Sequence, residues 1–176
     1  MTVSSMSSPL HRGIDYLMFG YFLLQIPTTL LFDTQGVYPE WLYPEWLQAV
    51  RNHYLESYRD PFLANAWKHP WYLSICLVEH FIDIPFFVWA TVCYYYGAKE
   101  RPQIIIPSII YSSHTITVVL SIWTMALGSD FTQETALAPR NMAERFKLCS
   151  AYMPFFVIPM INLIDSVRLA CKKKWD

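Results

Sequence analysis

Glu79, His80 and Asp83 stand close together inside a stretch of otherwise apolar sequence that runs from Trp71 to Tyr96. An ionisable group in hydrocarbon costs roughly 2.5 to 3.5 kcal/mol on insertion scales, so such residues normally turn inward and serve a site. Glu79 and Asp83 are four apart, which places both carboxyls on one helical face within reach of each other. Two carboxyls in a low-dielectric site cannot both ionise cheaply, so the pair is expected to share a proton and one acid to act as a hydrogen-bond donor. A buried hydrogen-bonded knot that only fixes helix packing fits the same residues. The spacing leaves both readings open.

A second polar group falls within one turn of a later apolar stretch, where Tyr111, His114 and Thr115 cluster with Ser108 and Val118 on the same side. These residues are placed to meet the carboxyls across a bundle, or to form a satisfied patch of core. Asp33 follows directly on the first apolar stretch, with Gln25 about two turns earlier on a nearby face. An aspartate at a helix mouth is ordinarily solvated. Covered by a folded segment, however, it becomes a strong site for a cationic amine or a hydroxyl. Asn162 and Asp165, in the last apolar stretch, read as structural, with Asp165 reaching an interface near Ser166 and Arg168.

What must position these groups is a membrane protein. Of 176 residues, 54% are hydrophobic and 15% charged, outside the usual range of a soluble domain. About 20 apolar residues cross the hydrocarbon, and four segments qualify: 14–32, 71–96, 104–127 and 148–170. The expected fold is all-α, a polytopic bundle of four transmembrane helices over residues 14–170, with a short N-terminus (1–13) and a tail (171–176). Each helix carries an Ile-Pro pair, ending at Pro27, Pro85, Pro107 and Pro159, so kinked helices and a cavity between them are expected. No cleaved signal peptide is read at the N-terminus.

The long connection 33–70 holds the tandem repeat Tyr38-Pro39-Glu40-Trp41 and Tyr43-Pro44-Glu45-Trp46, text suited to a membrane–water interface. Trp46, Val50, Tyr54 and Tyr58 recur at helical spacing, so residues 45–58 are expected to form a short amphipathic helix over the bundle mouth. Lys173 and Lys174 stand fourth and third from the end, matching a dilysine signal for retrieval to the endoplasmic reticulum. Such a signal works in the cytosol, which would put both termini there and 33–70 in the lumen. Lys and Arg in the connections on the two sides are near parity, but the C-terminal lysines read instead as an ordinary basic stop-transfer cluster would give the same orientation. A net charge of −1 without basic runs argues against nucleic acid as a partner. The four cysteines have neither zinc nor disulfide spacing, and no metal or cofactor is expected. Cys171, beside lysines, is a candidate for palmitoylation or an inert membrane cysteine.

Larger blocks of sequence then carry a resemblance. Tyr21-Phe22-Leu23 before Ile26-Pro27, Leu31-Phe32-Asp33 with Gln35, Leu42-Tyr43-Pro44, and Asp60-Pro61 occur in order. Pro85-Phe86-Phe87, Ile109-Ile110-Tyr111-Ser112 before His114-Thr115, and Tyr152 with Pro154 and Ile158-Pro159 continue it. Together they resemble the sigma-2-receptor branch of the EXPERA family, a group of endoplasmic-reticulum membrane proteins that also includes the sterol Δ8–Δ7 isomerase. The resemblance implies an intramembrane pocket for sterols, oxysterols and cationic amphiphiles, open sideways to lipid, in a protein that forms homodimers.

It also implies roles. Asp33 would pair with a ligand amine, Glu79 would support it by a hydrogen bond, and Asp60 would hold the luminal segment in place. Tyr111, Tyr152 and Phe155 would form walls, with Gln25 and Thr115 as polar contacts; Asp83 and His114 join the candidate ligand-binding set from the helix reading. The chain departs from that branch at Asp83, Asn162 and Asp165, where uncharged or apolar residues are expected, and at Phe155, where a tyrosine is.

The leading expectation is therefore a non-enzymatic sterol- or lipid-binding protein in sterol homeostasis or in regulation of partner membrane proteins, sterol transporters among them. The runner-up is a sterol isomerase using Glu79, His80, Asp83 and His114 as acid–base groups. A third reading is a structural adaptor that dimerises through the Ser/Thr-rich third helix and binds no ligand.

Overall fold

The computed structural model describes residues 12–131 and 137–172. In chain order, α1 (Gly13–Leu31) runs into a 3-10 turn, Asp33–Gly36. The helix α2 (Glu45–Tyr58) and the single turn α3 (Pro61–Ala64) follow. Next, α4 (Pro70–Val78), a π-helical turn Glu79–Asp83 and α5 (Ile84–Tyr96) make one continuous rod. After α6 (Ile105–Gly128) come α7 (Met142–Ala151) and α8 (Met153–Lys172). Four stretches are long and apolar enough to cross a membrane: Gly13–Gly36, Pro70–Tyr96, Pro102–Gly128 and Met153–Lys172. The protein is thus an all-α, multi-pass membrane protein.

The spans pair, α1 lying along α5 and α6 along α8. Two buried cores result. In one, Phe22 meets Tyr21, Phe86, Phe87, Tyr94 and Tyr111 ring to ring, with centroids 5.3 to 6.0 Å apart. In the other, Phe62 of α3 packs against His69, Trp71 and Tyr72 at 5.2 to 5.8 Å, beside Cys76, Ile122 and Leu148. Lipid tails are as apolar as these side chains, so dense contact and hydrogen bonding, rather than escape from water, hold the spans together.

The end of the bundle where α1 finishes and α4 begins is capped by α2, α3 and α7. Backbone closeness fixes part of the cap: a Cβ on Gly36 would meet the Leu63 carbonyl oxygen at 2.9 Å. Polar ties fix the rest. The Trp67 indole donates to the Val37 carbonyl at 2.9 Å, and Arg51 donates to the Ala64 carbonyl at 3.2 Å. Burial pulls the Arg51 guanidinium below its ordinary value, with Glu40 at 3.6 Å opposing. Arg145 of α7 donates to the carbonyls of Ala126, Leu127 and Ser129 at 2.8 to 2.9 Å, satisfying the open end of α6 where a cation is favoured.

Three expectations change. The fourth span starts at Met153 rather than 148, because Leu148 to Ala151 end α7 and the chain turns at Tyr152 (φ −87°, ψ −5°). Pro154 has no N–H for the Ser150 carbonyl, so one unbroken helix would lose a bond there. Pro107 lies in the first turn of α6 and breaks no intrahelical bond, whereas Pro27 and Pro159 lie inside their helices. On α2 the buried stripe is Leu47, Arg51 and Leu55, one position along from the stripe that signalled the helix; Trp46 and Val50 are exposed.

Candidate functional site

Between the two cores lies a cavity of about 220 Å³. Nine of the ten candidate ligand-binding residues line it. Gln25 and Asp33 come from the first span and Glu79 and Asp83 from the π turn. Tyr111, His114 and Thr115 come from α6, and Tyr152 and Phe155 from the start of the last span. Ile75, Val118, Val119 and Ile122 supply apolar wall. Among the described residues, three carboxyls and one imidazole line the cavity, and no Lys or Arg does.

The second span can present its acids because of the local backbone. At Glu79–Asp83 the helix widens, the Ile84 N–H bonding the Glu79 carbonyl five residues back. Pro85 follows at once, and the wide turn sits where the proline ring would crowd the carbonyl of Phe81. Both carboxyls face the cavity from that turn. His80 does not. It is buried against the Tyr38 ring, 5.5 Å away and stacked at 28°, outside the cavity lining. The acid–base role given to His80 is therefore corrected: the turn that aims Glu79 and Asp83 inward carries His80 toward the 33–70 connection.

The first span contributes a ladder one turn apart, Tyr21, Gln25, Thr29 and Asp33. The Tyr21 and Tyr111 hydroxyls are 3.0 Å apart, and Gln25 donates to the Tyr21 oxygen at 3.5 Å. Thr29, with no exposure, donates to Glu79 at 3.4 Å and stands within hydrogen-bond reach of Asp33. It is thus a hydroxyl beside both acids, where the resemblance implies a direct Asp33–Glu79 bond. The four-residue spacing from Gln25 to Thr29 to Asp33 was a signal that could have found it.

Asp60 does not line the cavity. It is fully buried behind the wall as the N-cap of α3, accepting the Phe62 and Leu63 N–H groups at 3.0 and 3.1 Å. Its other oxygen accepts the Tyr152 hydroxyl at 2.6 Å and the Tyr54 hydroxyl at 3.3 Å, and both tyrosines line the cavity. One side chain so joins α2, α3 and the α7–α8 turn. Burial pushes the Asp60 carboxyl above the usual carboxylate range, and these four donors pull the other way. Tyr54, Phe32, Tyr72 and Cys76 are further wall residues, none of which the sequence marked as facing a cavity.

Asn162 and Asp165 hold structural places, as their sequence context suggests, and only the partner of Asp165 differs from expectation. Asp165 pairs with Arg12 at 3.0 Å rather than lying free near Arg168, because the start of α1 brings Arg12 alongside α8. Asn162 is buried in a hydrogen-bonded network away from the cavity. Lys173 and Lys174 lie outside the described residues.

Comparison with known proteins gives a consistent set of matches. Residues 46–166 match the model of EXPERA (EXPanded EBP superfamily). The chain is 33% identical over 153 residues to Sigma intracellular receptor 2 of Xenopus tropicalis, covering 87% of each chain. It is 34% identical over 160 residues to Sigma intracellular receptor 2 of Homo sapiens, covering 89% of each. A more distant match, 25% over 154 residues, is Efficient mitochondria targeting-associated protein 19 of Schizosaccharomyces pombe, covering 86% of this chain and 74% of that one.

Proposed function

The chain belongs to the EXPERA (EXPanded EBP superfamily) family, and from that membership we propose that it binds sterols, oxysterols and cationic amphiphiles without transforming them. One observation carries the reading: among the described residues, three carboxyls and no Lys or Arg surround an apolar hollow. A charged or polarised acid buried there lacks a counterpart, and an amine or a hydroxyl on a guest supplies one. Asp33, where the first span meets the cap, is the pairing acid. Glu79 supports it through Thr29, and Asp83 extends the negative lining toward the middle of the membrane. At about 220 Å³ the cavity takes the polar end of the guest. The tail leaves sideways to lipid, on the side where Thr28 of α1 and Phe155 of α8 line the wall.

The same reading puts the cap in the lumen of the endoplasmic reticulum and both termini in the cytosol, with Lys173 and Lys174 as retrieval signal. It makes the outer face of α6, where Ser113, Thr117, Ser121 and Thr124 are exposed, the homodimer surface. Its cellular role is sterol homeostasis, through the guest or through partner membrane proteins such as sterol transporters. A second reading, isomerisation of a ring double bond, is favoured by one observation: His114 shares the cavity with Glu79 and Asp83.

Purification in mild detergent followed by mass spectrometry of extracted lipid tests the first reading. Sterol recovered with the wild type, and a loss of at least about 100-fold in cationic-amphiphile affinity in Asp33→Asn, is the expected result, since removing one partner of a buried charge pair costs about 3 kcal/mol or more. Turnover of a Δ8-sterol would replace it with the second reading. No sterol and unchanged amine affinity would remove both.

A further inference from the structure

A second hollow lies on the far side of Phe32 and Tyr54 from the cavity. It is a groove of about 420 Å³ between α2 and Lys147 of α7. Apart from Phe32 and Lys147, its lining is one continuous face of α2: Val50, His53, Tyr54, Ser57 and Tyr58, spaced as one side of a helix must be. The floor is aromatic. Tyr54 and Tyr58 stack at 4.9 Å, and Phe32 meets Tyr54 edge-on at 5.2 Å. Lys147 holds its ammonium 5.4 Å from the centre of the Tyr58 ring.

The two hollows share a wall and differ in charge. Acids line the inner one. Among the described residues, the groove has no Asp or Glu in its lining and has Lys147, His53 and the hydroxyls of Ser57 and Tyr58, a set of donors that suits an anion. Its depth is also informative, because Phe32 ends the first span and Lys147 lies just before the turn at Tyr152 that starts the last. That is the level of lipid headgroups, where aromatic rings and lysines collect at membrane interfaces.

We propose that the α2–α7 groove holds the headgroup of an acidic glycerophospholipid. Lys147 pairs with the phosphate, His53 and Ser57 donate to its oxygens, and the Phe32–Tyr54–Tyr58 floor carries the glycerol and first methylenes. The site does not depend on what occupies the cavity. Phosphate chemistry on an aromatic floor at this depth distinguishes a lipid from a soluble anion, which would have no use for the floor.

Native mass spectrometry of the full-length protein in mild detergent, with palmitoyl-oleoyl phosphatidylserine or phosphatidylcholine added at equal concentration, tests this. The wild type should retain one phosphatidylserine at least about fivefold better than phosphatidylcholine, and millimolar inorganic phosphate should not displace it. Lys147→Glu should abolish the preference, Lys147→Arg should keep it, and Lys99→Glu, at the opposite end of the bundle, should leave it unchanged. Equal retention of the two lipids by the wild type overturns the proposal. So does an unchanged preference in Lys147→Glu, an equal loss in Lys99→Glu, or displacement by free phosphate. Should Lys147→Glu fail to fold, the wild-type comparison and His53→Ala decide by the same criteria.

Discussion

Asn162 and Asp83 are both polar, both buried and both on membrane-spanning helices, yet their surroundings are opposites. The Asn162 oxygen accepts the Tyr94 hydroxyl at 2.7 Å and its amide donates to Ser112 at 3.1 Å, while Tyr94 also meets Ser108 at 2.9 Å. Nearby, buried Asp15 takes two bonds from Arg12, at 2.6 and 2.9 Å, and Arg12 reaches on to Asp165. In the π turn, by contrast, no hydrogen bond reaches Asp83 among the described residues, and Glu79 has one long bond from Thr29. A cavity lies beside them. The comparison separates two uses of polarity in hydrocarbon: where the chain satisfies its own groups it gains a unique packing, and where it leaves them facing a hollow it keeps a place for a guest.

That contrast can be broken from the satisfied side. Asn162→Ala should cost about 3 kcal/mol of stability, because Tyr94 and Ser112 lose a buried partner together. Thermal unfolding in detergent checks it, and guest affinity in the folded fraction should stay near wild type. Asp60→Ala should cost about 2 kcal/mol through loss of the α3 cap and both tyrosine bonds. Asp60→Asn should cost less, since the amide oxygen still serves the Phe62 and Leu63 N–H groups. Protease cleavage within α2 would report the loosened cap. The smallest effect is expected for Thr29→Val, which keeps shape and removes the hydroxyl between Asp33 and Glu79: about 1 kcal/mol, read as a several-fold loss of amine affinity by calorimetric titration.

The satisfied end was the harder one to read from sequence. Four apolar stretches announced the spans, since hydrocarbon thickness fixes their length whatever the packing. Acids inside the second stretch marked a site for the same energetic reason. Arg12 and Asp165, however, meet across 153 positions, a pairing that no local spacing encodes. The turn at Tyr152 was visible only as Pro154, and the π turn at Glu79–Asp83 only as Pro85. A proline says that a bond is missing, not how the backbone absorbs the loss. On α2, helical spacing identified the helix but not its buried face. Burial there follows Leu47, Arg51 and Leu55, because the exposed Trp46 suits an interface better than a core. Of the cavity, the helix acids, the α6 cluster and Asp33 with Gln25 were legible as chemistry, Tyr152 only through resemblance, and Thr29 was passed over.

The central claim is that Glu79 and Asp83 are kept for a guest rather than for packing, and apo stability tests it most directly. Glu79→Gln and Asp83→Asn remove the charge and keep the shape. Unfolding midpoints of the guest-free variants should equal or exceed wild type, while the stabilisation produced by a saturating cationic amphiphile shrinks in both. A drop in guest-free stability as large as that of Asn162→Ala, with guest-induced stabilisation intact, would contradict the account.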